Sequence, residues 1–300
     1  MKKIHNQERI KGKKAEKSAR KVAVSALKKR LKAVLSSMLL ATKRSSENKE
    51  LIHELRVQTR RAVATLELYS EFLPKKRAQW MKKQLKQIRE STNAVRNGDV
   101  IRELLSGKES IVDQFQQSQQ GRAILGKPLI AISDVLQKEH CLEHHIDQLL
   151  DRVRWRQKEN RGMHFNEWVN KKLPGLLQDF LSSVPKRTAP LVVLHKFRIR
   201  VKELRYIVDL VHKAFPTEFY ETISPEFKKV QEKLGRINDL VTLDREFQKK
   251  ITEGTLEENE LMRSFLAKNK KSIAQARKDF FHLCTPQFFA HFEAEFKRFL

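Results

Sequence analysis

The 300-residue sequence predicts an all-α protein, and three observations carry that expectation. Nine glycines and eight prolines leave few places to turn, while Lys, Glu, Leu, Gln, Ala and Arg, all good helix formers, are abundant. Apolar residues recur at helical spacing along most of the chain. The stretch HELRVQTRRAVATLELYSEFLP, from His53 to Pro74, returns as HKFRIRVKELRYIVDLVHKAFP, from His195 to Pro216. One fixed offset carries His53 onto His195, Arg56 onto Arg198, Leu68 onto Leu210 and Pro74 onto Pro216. The same offset pairs Leu31, Leu35 and Leu39 with Leu173, Leu177 and Leu181 upstream, and Asn97 with Asp239 downstream. A register held that far without a gap implies one supersecondary unit used twice.

The elements follow in order. Residues 1–17 are too polar to fold alone and are expected to form a flexible basic arm. The first repeat is assigned to 18–158 and the second to 159–300. From Ala19, the positions Val22, Leu27, Leu31, Val34, Leu35, Met38 and Leu39 predict a first helix, and Ser45 to Asn48 supply loop and capping residues. The histidine helix runs from about Lys49 to Phe72 and stops at Pro74, which disfavours a helical residue before it. A third helix is expected over Lys76–Val95, with Trp80, Leu85 and Ile88 inward. Ser110 to Gly126 is rich in Gln and Ser and reads as helix or loop. A long helix is expected from Lys127-Pro128 to about residue 158. The second repeat opens near Gly162, with Phe165, Trp168, Leu173 and Leu177 at core spacing and a kink at Pro174. Its histidine helix ends before Pro216, another helix covers Pro225–Arg236, a long one carries Leu261 to Phe280, and Gln287–Leu300 closes the chain as a short amphipathic helix. Antiparallel helices with short links are what four-helix bundles require.

At about 100° per residue, His53, Arg56 and Arg60 share one helical arc, and His195, Arg198 and Lys202 share another. Ile52, Leu55, Ala62, Leu66 and Tyr69 form the opposite, apolar arc of the first copy. Like charges on one face repel, so two such stripes call for either an anion or simple solvation. Solvation accounts for the charge but not for a histidine at the same place twice. Lys82, Lys86 and Arg89 form a further basic line, echoed in pattern by Lys229, Lys233 and Arg236, and Arg61 and Arg205 occur in one copy each.

These motifs carry a resemblance. H-x-x-R-V-x-x-R-R and H-x-x-R-I-x-x-K-x-L-R-Y resemble the two histidine motifs of the CHAD family, the conserved histidine α-helical domain proteins. Arg96-Asn97-Gly98-Asp99-Val100 is similar to the family's R-D-x-D-V, and Leu234-Gly235-Arg236-Ile237-Asn238-Asp239 to its L-G-x-x-N-D. Asn97 stands where aspartate is usual, and Thr92-Asn93 replaces Leu-Gly in the first copy. The resemblance implies a pseudo-twofold pair of four-helix bundles that binds inorganic polyphosphate without catalysis. It also makes polyphosphate granules a candidate location.

The formal charge of +26 fits a strongly acidic partner. Nucleic acid, an anionic membrane surface and polyphosphate all qualify, and a basic nucleic-acid-binding protein is the alternative reading. Stacking on exposed rings beside the basic groove would favour single-stranded nucleic acid. The stripes hold no ring except Tyr206 beside Arg205, and most phenylalanines sit at core spacing. For polyphosphate, many moderate contacts suit a chain of charges, with Arg56, Arg60, Arg198 and Lys202 foremost. His53 and His195 either donate to phosphate or fix helix packing by bonding a neighbouring carbonyl or Asp/Asn, with Asn97 and Asp239 as candidates.

Catalytic signals are weak. His140, Cys141, His144 and His145 imitate zinc spacing but lack the H-E-x-x-H glutamate. Asp99, Asp239 and Asp244 sit in ordinary helix-end contexts, and no glycine-rich phosphate loop or nucleophile elbow occurs. No enzyme activity, metal or cofactor is expected. A phosphate-hydrolysing enzyme is kept only because the family often accompanies triphosphate tunnel metalloenzymes. Cys141 and Cys284 form no C-x-x-C pair, and no apolar run reaches the length of a membrane span, so a reduced cytoplasmic setting is expected.

Overall fold

The computed structural model describes residues 16–44, 48–117, 122–156 and 161–300. The basic arm, apart from Glu16 and Lys17, and the Ser45–Glu47 loop lie outside the described residues. The described chain is all-α, with twelve α-helices: α1 (Ala19–Arg44), α2 (Lys49–Leu68), α3 (Lys75–Ser91), α4 (Asn93–Leu104), α5 (Glu109–Gln117), α6 (Arg122–Asp134), α7 (Leu142–Asp151), α8 (Phe165–Ser182), α9 (Leu191–Val211), α10 (Thr217–Thr252), α11 (Glu260–Leu283) and α12 (Pro286–Lys297).

The repeated sequence produces repeated local structure. The Asn48 side chain accepts a bond from Glu50 N (2.8 Å) and starts α2. α2 then tightens into a 3₁₀ turn over Ser70–Phe72 before Pro74, and α9 does the same over His212–Ala214 before Pro216. The next helix starts directly after each proline, α3 at Lys75 and α10 at Thr217. The starts of α1 and α8 are clasped by a short antiparallel bridge, in which Ala19 N donates to Met163 O and Phe165 N to Lys17 O.

The copies diverge at Thr92-Asn93. Here α3 ends and α4 begins, whereas α10 runs unbroken through the matching Leu234-Gly235. The helix expected over Pro225–Arg236 is therefore a 36-residue helix from Thr217 to Thr252, with Pro225 inside it. A second correction concerns the long helix expected from Lys127 to residue 158. It starts earlier, at Arg122, carries Pro128 in its interior, loosens into a π-type turn over Val135–Glu139, and stops at Cys141 before α7. Cys141 adopts a left-handed backbone (φ 43°), which ends helical propagation.

One hydrophobic core takes residues from both halves, including Leu27, Leu31, Leu66 and Ile88 from the first and Phe165, Leu173, Phe197 and Phe227 from the second. A second core joins Ile101, Leu105 and Phe115 of the first half to Leu243, Phe247, Met262 and Phe265 of the second. Helices α2 and α9 pack on each other, as do α4 and α10. All phenylalanines except Phe288 and Phe299 are buried, so the aromatic content goes into packing. No described helix is long and apolar enough to cross a membrane.

Candidate polyanion site

The repeated motifs converge. His53, Arg56 and Arg60 of α2 and His195, Arg198 and Lys202 of α9 line one cavity of about 1200 Å³. Packing the apolar arcs of α2 and α9 into the core aims their basic arcs at this common space. The walls are completed by Arg89 of α3, Asn93, Arg96 and Asn97 of α4, Lys172 of α8, and Asn238, Asp239, Thr242 and Arg245 of α10. With Arg200 of α9, nine Arg and Lys side chains face three carboxylates, those of Glu67, Glu203 and Asp239.

The cations are not equivalent. Arg56 Nη1 donates to Arg89 O (2.7 Å), Thr92 Oγ1 (2.8 Å) and Asn93 Oδ1 (2.9 Å). Those acceptors sit at the α3–α4 break, so Arg56 ties the histidine helix to the interruption. The Thr92 hydroxyl also donates to Arg89 O (2.8 Å), which further occupies the carbonyl there. Arg198, at the matching place on α9, has a buried Nε without a partner.

Burial and crowding depress the basicity of this cluster. Lys202 is pushed down to about 6, first by desolvation and then by Arg198 and Arg60, with Asp239 opposing. Arg56 falls to about 9 and Arg60 to about 10, desolvation leading in both. Arg198 is lowered by burial, against the pull of Asp239. His53 is lowered by desolvation and by Arg96. An anion placed among these groups relieves their mutual repulsion and replaces part of their lost hydration.

The packing expectation holds at His195, whose partner is Asn238 rather than Asp239. His195 Nδ1 lies 3.0 Å from Asn238 Oδ1, and Asn238 Nδ2 in turn donates to Asp239. An amide oxygen only accepts, so this bond puts the proton on Nδ1. Asn97 Nδ2 donates to Glu246 Oε1 (2.8 Å), which bridges α4 to α10. Both histidine side chains are exposed to the cavity.

Of the basic residues proposed from sequence, Arg61, Lys82, Lys86, Arg205, Lys229, Lys233 and Arg236 do not line this cavity. Lys82 pairs with Glu67 (2.7 Å), Lys86 with Glu90 (3.7 Å), and Lys229 with Glu226 (2.7 Å). Arg205 lies 3.6 Å from Asp209 and over the Tyr206 ring. Lys82 is two turns before Arg89 on α3, about 10 Å further along the axis. On α10 the cavity-facing line is Leu234, Asn238, Val241 and Arg245. Lys233 precedes that line by one residue, and Arg236 is two residues past Leu234, so both point away.

Sequence reasoning did not select Arg96, Lys172, Arg200 or Arg245. Arg96 lay within the quoted Arg96–Val100 motif, whose helix-end reading drew attention away from its charge. Among the described residues, no group of three or more His, Cys, Asp or Glu is arranged to hold a metal. The His145 ring packs on Trp80, with centroids 4.2 Å apart, and His144 contacts Gln148.

Comparison with known proteins agrees with this architecture. A family model described as the CHAD domain matches residues 25–248. The crystal structure of the CHAD domain from the plant Ricinus communis superposes with a TM-score of 0.60 at 15% identity, covering 96% of this chain and 95% of that one. PptA from Streptomyces chartreusis superposes at 0.58, also at 15% identity, covering 88% of this chain and 98% of that one. No curated protein matches the sequence significantly. With three quarters of its length under the family model and the same helical fold in both structures, the chain belongs to the CHAD domain family.

Proposed function

We propose that the chain binds inorganic polyphosphate, without catalysis, in the cavity between its two histidine helices. The observation that carries this reading is the convergence of both repeated basic stripes on one space where cations far outnumber carboxylates. Two of the three cavity carboxylates are held by cations, Glu67 by Lys82 (2.7 Å) and Glu203 by Arg200 (3.2 Å). That pairing suits a binding surface better than a metal-dependent reaction centre. The family's association with polyphosphate-related proteins points the same way, and a location at polyphosphate granules would follow from it. Duplex or single-stranded nucleic acid is the competing ligand class. Among the described residues, the one Phe, Trp or Tyr side chain lining the cavity is Tyr206, which is 4% exposed and gives bases no platform.

The test is direct binding of size-fractionated polyphosphate, with RNA and duplex DNA as competitors at matched charge. Arg60→Ala, Arg198→Ala and Lys202→Ala combined should weaken polyphosphate binding strongly. By analogy with nucleic acids, they should also cut the slope of log affinity against log salt by about 2–3. Unchanged affinity and slope in a folded variant would remove the cavity from the binding site. Preferential retention of nucleic acid would transfer the reading to the alternative.

A further inference from the structure

We propose that polyphosphate enters this cavity together with a proton, taken up from solvent at Lys202, so that binding is tuned by pH in the neutral to alkaline range. The inference rests on the binding reading above and adds a mode of regulation to it.

The geometry supplies the reason. Lys202 lies on α9 inside a cationic cluster, and among the described residues its ammonium has no hydrogen-bond or ion-pair partner. Arg198 and Arg205 flank it on its own helix, and Arg60 faces it from α2. Arg89 of α3 and Arg96 of α4 line the same cavity. Asp239 of α10 is the one carboxylate among the charges that act on it most strongly. An ammonium here has lost much of its hydration and is surrounded by like charges.

Guanidinium groups escape less readily: even lowered to about 9 at Arg56 and about 10 at Arg60, they keep their protons at neutral pH. A lysine in this position relieves the repulsion by releasing its proton to solvent. Burial and the arginines hold the empty-cavity value near 6, so the side chain is an uncharged amine at neutral pH. A polyanion reverses the local field. Its oxygens accept hydrogen bonds from the ammonium and offset the arginines, and the amine takes a proton from water or buffer to become the charged donor.

Linkage fixes the sign. If the bound complex holds one proton more than its free components, affinity falls about tenfold per pH unit between the free and bound values of that group. The informative window is about pH 7.5 to 8.5, below the lowered values of Arg56 and Arg60. There the terminal phosphates, whose second ionisation falls near 6, have already released their protons, and His53 is held below the usual imidazole range by burial.

Polyphosphate affinity measured across that window at constant ionic strength should fall close to tenfold per unit for the wild-type protein. Calorimetry in buffers of different ionisation enthalpy should report uptake of about one proton per binding event. Lys202→Arg, which keeps the charge permanently, should bind with a nearly flat pH profile and little proton uptake. A wild-type profile that is flat, with tight binding and no proton uptake, overturns the proposal and leaves the binding function intact. A Lys202→Arg profile as steep as wild type places the proton elsewhere and also overturns it. Absence of polyphosphate binding at every pH removes the functional reading itself, and this inference with it. Should Lys202→Arg fail to fold, the wild-type proton count alone decides.

Discussion

Arg56 and Arg198 hold the same position in the two copies of the histidine motif, yet their surroundings give them different tasks. Arg56 spends one terminal nitrogen on three acceptors at the α3–α4 break, while Arg198 keeps a buried donor unpaired beside the cavity. Removing Arg56 leaves a backbone carbonyl, a hydroxyl and an amide oxygen without their charged donor, and such losses cost about 2–3 kcal/mol. Removing Arg198 takes away a poorly compensated charge, so its stability cost should stay within about 1 kcal/mol. Urea unfolding of Arg56→Ala and Arg198→Ala should therefore rank Arg56 as the larger stability loss. Polyphosphate affinity should rank Arg198 at least as important. If Arg198→Ala proves the more destabilising, the division into a tether and a free contact is wrong. The sequence alone cannot reveal this division, because both residues satisfy the same motif. What separates them is Thr92-Asn93 against Leu234-Gly235, a difference plain in the sequence but informative only once Arg56 is seen to reach it.

Helix identity and helix ends followed from local rules, and breaks imposed by packing did not. The ends of the histidine helices before Pro74 and Pro216 were readable because proline restricts the residue before it wherever it occurs, though the closing 3₁₀ turns were not. Pro225 misled for a complementary reason: it marks no start, and α10 carries it within the helix because flanking turns and tertiary contacts hold the segment together. The stop at Cys141 has no sequence signature, since a left-handed residue is expected to be glycine or asparagine. The cavity was legible where chemistry is doubled, as with His53/His195 and Arg60/Lys202. It was not where one copy alone supplies a charge, as Arg96 and Arg245 do. The helix breaks also yield a prediction. Cys141 is exposed with φ 43°, so Cys141→Gly should relieve strain and raise stability by about 1 kcal/mol. Gly175 lies inside α8, and a Cβ added there would meet nothing within 4 Å, so Gly175→Ala should stabilise by about 0.5–1 kcal/mol. Denaturant midpoints at unchanged m-value would check both. A loss at Cys141→Gly would mean the thiol has a packing role that its exposure does not suggest.

The whole chain carries +26 formal charge, and its cavity gathers part of that charge where water is scarce, so the ligand-free fold works against its own electrostatics. Lys202 makes the consequence measurable. Its folded value of about 6 lies below the unfolded value of 10.5, so between those limits the unfolded chain holds the additional proton. Stability from this group must then rise with pH across that interval, and below about 6 the full cost of the buried ammonium applies. Without ligand, the stability gap between Lys202→Met and wild type should be widest near pH 6 and narrow towards pH 10. With polyphosphate saturating, the bound fold and the unfolded chain both hold the Lys202 proton, so the ligand should flatten the wild-type trend. A ligand that binds only the folded chain adds about 2.7 kcal/mol at a hundredfold excess over Kd, and at fixed ligand concentration this gain shrinks as affinity weakens at higher pH. Thermal unfolding with and without polyphosphate, near pH 7 and pH 9, tests both signs together. The ligand-free protein should melt higher at the alkaline value, and the ligand-induced rise in Tm should be larger at the neutral one. Equal ligand-induced shifts at the two pH values would uncouple the cavity's charge from the stability of the fold and leave the crowded cations as bystanders to binding.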